Sequence, residues 1–117
     1  MAIKNFRELD IWQLGKDVSL NVYKITMEFP KVEIYGLTSQ MRRAAVSVPS
    51  NIAEGFNRYH NNEFRQFLYI SLGSCAELET QLEISRELDY LSRDEYETTL
   101  DKIIRLSKMI RSLIKKL

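Results

Sequence analysis

The stretch from Leu37 to Tyr59 reads LTSQMRRAAVSVPSNIAEGFNRY and decides the fold. Apolar or small residues recur in it at steps of four and three, which is the period of one helix face. The members of this stripe are Leu37, Met41, Ala44, Val48, Ile52, Gly55 and Tyr59. Pro49 lies inside the helix, where a proline removes a backbone hydrogen bond and crowds the preceding turn. The stretch therefore predicts a kinked helix whose small side chains allow close approach by a neighbour.

Three other segments have the same helical period. Their stripes are Ile11, Gly15, Val18, Val22, Ile25 and Phe29; Phe64, Leu68, Ser71, Cys75, Leu78, Leu82 and Ser85; and Tyr96, Leu100, Ile103, Leu106, Ile110, Leu113 and Leu117. Pro30 is predicted to end the first helix, Asn61 or Asn62 to cap the third, and Ser92 with Glu95 to open the fourth as a capping box. Short links between long helices make neighbours antiparallel. We predict an all-α, antiparallel, up-and-down four-helix bundle with a Pro-kinked second helix, as a single domain over residues 1–117.

Composition limits the class of protein. The 117 residues are 44% hydrophobic and 28% charged, with only two prolines and four glycines, which is typical of one globular domain and argues against a β-rich fold. The net charge of +1 provides no bulk attraction to nucleic acid. No apolar run has the roughly 20 residues of a membrane helix, and Met1 to Asp10 does not resemble a signal peptide. The single cysteine fits a reducing compartment. We expect a soluble cytoplasmic protein without a membrane partner.

No residue pattern indicates catalysis or metal binding. His60 is the only histidine and lies in a polar turn without the Glu-x-x-His pairs of bundle metal sites. Cys75 is on the third stripe, where a free cysteine packs as a small hydrophobe. The acidic residues between Glu77 and Asp101 are interpreted as a solvated face. Glu77 is the exception, and we hypothesise that it pairs with Arg42 or Arg43 to tie the second helix to the third. The sequence thus predicts no catalytic residue, no metal and no cofactor.

Two groups of basic residues are candidate contacts for RNA or DNA, because cations at helical spacing can track phosphates. The fourth helix carries Lys102, Arg105, Lys108, Arg111, Lys115 and Lys116, with no acid after Asp101. A second patch is predicted from Arg42, Arg43, Arg58 and Arg65 near the junction of the second and third helices. The alternative is a solvated face that complements the helix dipole and acidic neighbours.

Aromatic residues exceed what one narrow core can hold. The side chains that cannot all fit such a core are Trp12, Tyr23, Tyr35, Phe56, Phe67, Tyr69 and Tyr96. Surplus aromatic side chains are typical of an interface, so self-association is expected.

Several motifs together resemble one known family. They are Phe6-x-x-Leu9-x-x-Trp12-Gln13, Phe29-Pro30, Tyr35-Gly36-Leu37-x-x-Gln40-x-Arg42-Arg43-Ala44-Ala45-x-Ser47-x-Pro49-x-Asn51-Ile52-Ala53-Glu54-Gly55, and Gly73-Ser74-x-x-Glu77-Leu78-Glu79-Thr80. From about Phe6 to Leu91 the chain resembles the four-helix bundle family of ribosomal-RNA intervening-sequence proteins, which are filed beside ribosomal proteins. That fold is similar to the accessory variability protein of diversity-generating retroelements. The resemblance implies a homopentameric ring with a nucleic-acid role and brings no catalytic residues.

The family motif is interpreted as structural first, with a ligand site as the alternative. Its structural residues are Pro49, Asn51, Glu54, Gly55, Gly73, Ser74 and Glu77. The leading functional hypothesis is a non-enzymatic, self-associating bundle whose basic surface contacts RNA or DNA. The first rival is a protein-interaction scaffold without nucleic-acid binding, and an enzyme is a distant third.

Overall fold

The computed structural model describes residues 2–117, which form four α-helices and two short 3-10 turns. The helices are α1 (Asp10–Thr26), α2 (Leu37–Phe56), α3 (Asn61–Glu87) and α4 (Arg93–Lys116), and the turns are Phe6–Glu8 and Lys31–Glu33. The molecule measures 45 × 24 × 19 Å, and its long dimension matches α3, whose 27 residues rise about 40 Å. The predicted all-α four-helix bundle is confirmed.

The helices pack in a ring in which each touches its two neighbours. α1 packs on α2, α2 on α3, α3 on α4 and α4 on α1, whereas the diagonal pairs stay apart in the described chain. Ser19 meets Ala45 while Thr26 meets Arg42, so α1 and α2 run antiparallel. The middle of each predicted stripe is buried, including Val18, Val48, Leu78 and Ile110. Tyr59 was predicted to extend the second stripe but lies beyond the end of α2 and is fully exposed.

Pro49 is accommodated by the side of α1 that faces it. A proline at position 49 cannot donate to the carbonyl of Ala45, one turn earlier. Ser19 of α1 supplies the missing donor, since its Oγ donates to the Ala45 oxygen at 2.9 Å. Gly15 faces the ring: a Cβ on Gly15 would lie 3.4 Å from the Cβ of Pro49, in van der Waals contact with it. The small residues Gly15 and Ser19 thus let α1 and α2 approach at the proline, and α2 stays helical through it.

The ends of α3 and α4 are closed by hydrogen-bonded capping motifs. The predicted capping box of α4 is present: the Glu95 amide donates to Ser92 Oγ, and the Ser92 amide donates to Glu95 Oε1. α3 ends in a Schellman motif, in which the Tyr90 amide donates to the Ser85 carbonyl and Asp89 takes a φ of 61°.

The predicted cap of α3 is wrong. His60 takes the N-cap position without a side-chain bond, because Asn61 is already the first helical residue. The oxygen of Asn62 instead accepts a hydrogen bond from Arg65.

Candidate nucleic-acid interface

The outer face of α4 carries the basic residues singled out in the sequence. Lys102 is partly buried, and the other five are exposed: Arg105, Lys108, Arg111, Lys115 and Lys116. None of the six forms an ion pair with any residue between 2 and 117. Ile103, Leu106 and Ile110 are buried in the core on the opposite side of the helix. The cations therefore face outward, where a phosphate chain can contact them.

Acidic residues interrupt the edge of this face toward α1. Arg105 lines a groove with Arg7 and Lys16 but also with Asp10 and Asp17. The carboxylates there weaken the local positive potential. The C-terminal half of α4, from Lys108 onward, has no acidic residue of its own and is therefore the more favourable half for phosphate contacts.

The predicted second basic patch does not exist as one surface, because its residues lie at opposite ends of α2. Arg42 and Arg43 are in the second turn of the helix, whereas Arg58 follows its last residue. Phe56, at the end of α2, lies thirteen residues after Arg43, which is a rise of about 20 Å along the helix. Arg65 is near Arg58, in the second turn of α3.

Three of these four arginines already have partners. The Arg42 guanidinium stacks on Tyr23 at 4.7 Å, and its Nε donates to Thr26 Oγ1 at 3.0 Å. Arg58 pairs with Glu54 at 3.0 Å, and Arg65 donates to Asn62 at 2.7 Å. Of the four, Arg43 alone makes no hydrogen bond or ion pair within residues 2–117, so the two ends of α2 offer little free charge to nucleic acid.

The hypothesised bridge from Glu77 to Arg42 or Arg43 is also wrong. Arg42 is turned toward α1 by its contacts with Tyr23 and Thr26. Glu77 is exposed and has no ion pair among the described residues. Helices α2 and α3 are joined instead by serine hydroxyls: Ser71 Oγ donates to the Val48 carbonyl, and Ser74 Oγ donates to Ser47 Oγ, both at 2.9 Å.

The polar residues of the family motif divide between packing and surface contacts. Asn51 Nδ2 donates to the Ser47 carbonyl at 2.8 Å and to Ser47 Oγ at 2.9 Å, within α2. Glu54 forms an ion pair with Arg58 at the surface. Sequence reasoning did not single out Ser47 for this role, although its four-residue spacing from Asn51 is that of side chains that meet on one helix face.

The two motif glycines have opposite surroundings. A Cβ on Gly55 would lie 2.7 Å from the Cβ of Phe67 and 2.9 Å from Cδ1 of Phe64, so α2 and α3 need a glycine there to pack. A Cβ on Gly73 would meet nothing within 4 Å. No contact within the single chain therefore requires a glycine at position 73.

The two residues considered for chemistry are placed as predicted. His60 is exposed in the turn before α3, and Cys75 is fully buried. Burial raises the pKa of the Cys75 thiol, a hydrogen bond with Ser107 lowers it, and the charges of Glu79 and Arg111 raise and lower it respectively. Among residues 2–117, no three metal-ligating side chains of His, Cys, Asp or Glu converge, and no helix has the length and apolarity to cross a bilayer.

Several of the surplus aromatics remain at the surface. Tyr35 is 95% exposed, and Tyr23 and Tyr69 are about half exposed. Trp12, Phe56, Phe67 and Tyr96 are partly buried, and Trp12 packs edge-on against Phe6 with ring centroids 5.3 Å apart.

Comparisons with known proteins agree with this architecture of an all-α bundle. The model of the 23S rRNA-intervening sequence protein family matches residues 7–112, and the chain belongs to that family. A solved structure from Bacteroides thetaiotaomicron VPI-5482, a protein with unknown function from the S23 ribosomal protein family, superposes with a TM-score of 0.81. It is 22% identical, and the match covers 90% of this chain and 98% of that one. No curated protein matches the chain.

Proposed function

We propose that this chain is a non-enzymatic, self-associating bundle that contacts RNA or DNA through the outer face of α4. The observation that carries the proposal is the set of six basic residues on one helix face without any ion pair in the described chain. Solvent-exposed cations without intramolecular partners are the groups that phosphates recruit, and their counterions are released on binding. The name of the family, which refers to an intervening sequence of 23S rRNA, supports a nucleic-acid partner.

Self-association is the second component of the proposal, with a homopentamer as the expected state from the family resemblance. The outer surface of α3 supports it: Tyr69 and Ile70 are exposed beside Gly73, which leaves open space for an approaching helix. Small residues flanked by larger apolar ones permit close helix contact. Light scattering or sedimentation at micromolar concentration should give five times the chain mass of 13.8 kDa, and a monomer would contradict this component.

Nucleic-acid binding is tested by the salt dependence of affinity. A fluorescently labelled RNA hairpin and a single-stranded DNA of equal length are titrated from about 50 to about 200 mM salt. Replacing Lys108, Arg111 and Lys115 by Gln should weaken binding and lower the slope of log affinity against log salt by about 2, since each lost contact removes about 0.7–0.9. The circular dichroism spectrum should not change, because all three side chains are exposed.

The matched control removes three exposed lysines elsewhere, Lys4, Lys24 and Lys31, so that the net charge falls equally. If α4 is the contact, the control keeps most of the affinity. Equal losses in both variants would show that only net charge matters and would contradict the assignment to α4.

A protein-interaction scaffold is the alternative, and the apolar exposure of the α1–α2 side favours it. Tyr23, Ile34 and Val46 line one groove there and are each at least 41% exposed. No affinity for either nucleic acid at the lowest salt would leave this alternative as the better account.

A further inference from the structure

We propose that a polar cleft between α2 and α3 binds a free α-amino acid as its zwitterion. The cleft has a volume of about 360 Å³ and is separate from the basic face of α4. Its lining residues are Gln40, Arg43, Ala44, Ser47, Ser74, Glu77 and Gln81. The proposal does not depend on nucleic-acid binding or on the oligomeric state.

The cleft presents two opposite charges that do not neutralise each other. Arg43 lines it from α2 and Glu77 from α3. Neither forms an ion pair with any described residue, so their charged groups are more than 4.0 Å apart. A ligand carrying both a carboxylate and an ammonium can meet both groups at once, with the carboxylate on the guanidinium.

A buried acceptor lacks a donor at the same place. Gln81 is 9% exposed, and its Oε1 is buried without a hydrogen-bond partner in the described chain. Leaving such an atom unpaired is costly, and native structures usually supply a partner. Gln81 lines the cleft, and a rotation of its side-chain amide would present Oε1 to an ammonium group that has three donors and is held at Glu77.

The hydroxyl of Ser47 is left with a free proton. Its Oγ accepts from Ser74 Oγ and from Asn51 Nδ2, each at 2.9 Å, which uses both lone pairs. When Ser74 is the donor in this pair, the Ser47 proton has no acceptor among the described residues, and a carboxylate oxygen beside Arg43 can accept it. The partner serine and asparagine also hold Ser47 in place, which makes this part of the site preformed.

The chemistry of the lining selects against other ligand classes. A nucleobase is held by stacking on aromatic or apolar faces, but no aromatic side chain lines the cleft. A divalent cation needs several oxygen ligands with charge, and Glu77 is the only carboxylate in the lining. The volume is at the lower limit for small-molecule sites, which suits a compact zwitterion.

Calorimetry and thermal denaturation of the full chain test the proposal with glycine, L-alanine, L-serine and L-glutamine as probes. Propionate and ethylamine are the matched half-ligands, since each keeps one charge of alanine. We expect at least one amino acid to bind and raise the melting temperature at millimolar concentration, with both half-ligands at least about tenfold weaker. No amino acid binding, or propionate binding as tightly as alanine, would overturn the proposal.

Three substitutions assign the binding to this cleft. Arg43→Gln and Glu77→Gln should each weaken binding about tenfold to a hundredfold, and Ser47→Ala should do so less strongly. The control Glu83→Gln removes an exposed carboxylate of α3 that does not line the cleft and should leave affinity unchanged. Unchanged melting temperatures without ligand would show that the two exposed charge variants are folded. Wild-type affinity in Glu77→Gln would place binding elsewhere and contradict the assignment.

Discussion

Helices α2 and α4 lie at diagonal corners of the bundle and use their polar atoms in opposite ways. In α2, the carbonyls of Ala45 and Val48 accept hydrogen bonds from serines of α1 and α3. α4 is closed by its own capping box, and the six cations of its outer face, from Lys102 to Lys116, form no ion pair within the described chain. The difference teaches that a helix interrupted by proline becomes dependent on its neighbours, whereas a regular amphipathic helix keeps its outer face free for other contacts.

The largest expected effect is at the C-terminal turn of α2. Gly55→Ala should lower the free energy of unfolding by about 1–3 kcal/mol, because the new Cβ overlaps Phe67 and Phe64. In the monomeric chain the control Gly73→Ala should raise it by up to about 1 kcal/mol, since alanine favours the helix and meets nothing within that chain. Urea denaturation measures both, and equal effects would show that the contact at Gly55 is not tight.

The dependence of α2 on α1 is tested by a double-mutant cycle. Ser19→Ala removes the donor to the Ala45 carbonyl and should cost about 1–3 kcal/mol of stability. In a Pro49→Ala background, residue 49 regains its amide and can bond that carbonyl itself, so the same substitution should cost less. Additive costs in the two backgrounds would break the proposed link between Ser19 and Pro49.

The independence of α4 is tested at its cap. Ser92→Ala should cost about 1 kcal/mol, and Ser92→Thr should restore most of the loss because it keeps the hydroxyl. Since no other helix takes part in this capping box, the cost should be the same in the Ser19→Ala background. A different cost of Ser92→Ala in the Ser19→Ala background would mean that the cap of α4 and the contact between α1 and α2 are energetically coupled.

The smallest effect concerns Cys75, which lies between α3 and α4. Below the ordinary thiol pKa of 9.0 the group is protonated in folded and unfolded chains, and its contribution is constant. Above it, the unfolded chain ionises first because burial raises the folded pKa, so stability falls as pH rises. At half a pH unit above 9.0, wild type should lose up to about 0.8 kcal/mol relative to Cys75→Ala. A pH-independent difference between the two proteins would contradict a buried, protonated thiol.

The helical period predicted the fold, and the reason is physical. Steps of three and four place Val18, Leu78 and Ile110 on inward faces whatever the details of packing. The capping box of α4 was predictable because both partners are four residues or fewer apart. Contacts between residues so close in the chain can be predicted from the local sequence.

The contacts that define the candidate sites could not be derived in the same way. Arg42 and Arg43 are neighbours in sequence and both line the groove beside Tyr23, yet Arg42 stacks on that ring whereas Arg43 also lines the cleft with α3. The rotation of α2 about its axis decides this, and a difference of about 100° separates consecutive residues. That rotation turns Arg42 away from Glu77, whereas Arg43 lines the same cleft as Glu77 but forms no ion pair with it. The role of Gln81 depends on tertiary burial that periodicity alone does not give.

Pro49 also has a consequence for the order in which the bundle can form. Before α1 docks, the carbonyl of Ala45 has no donor within α2 and must bond water, and Ser19 replaces that water on docking. Helices α1 and α2 therefore belong to one cooperative unit, and local opening at the proline should separate both together. A change at residue 19 should alter the exchange of amide hydrogens on both sides of Pro49.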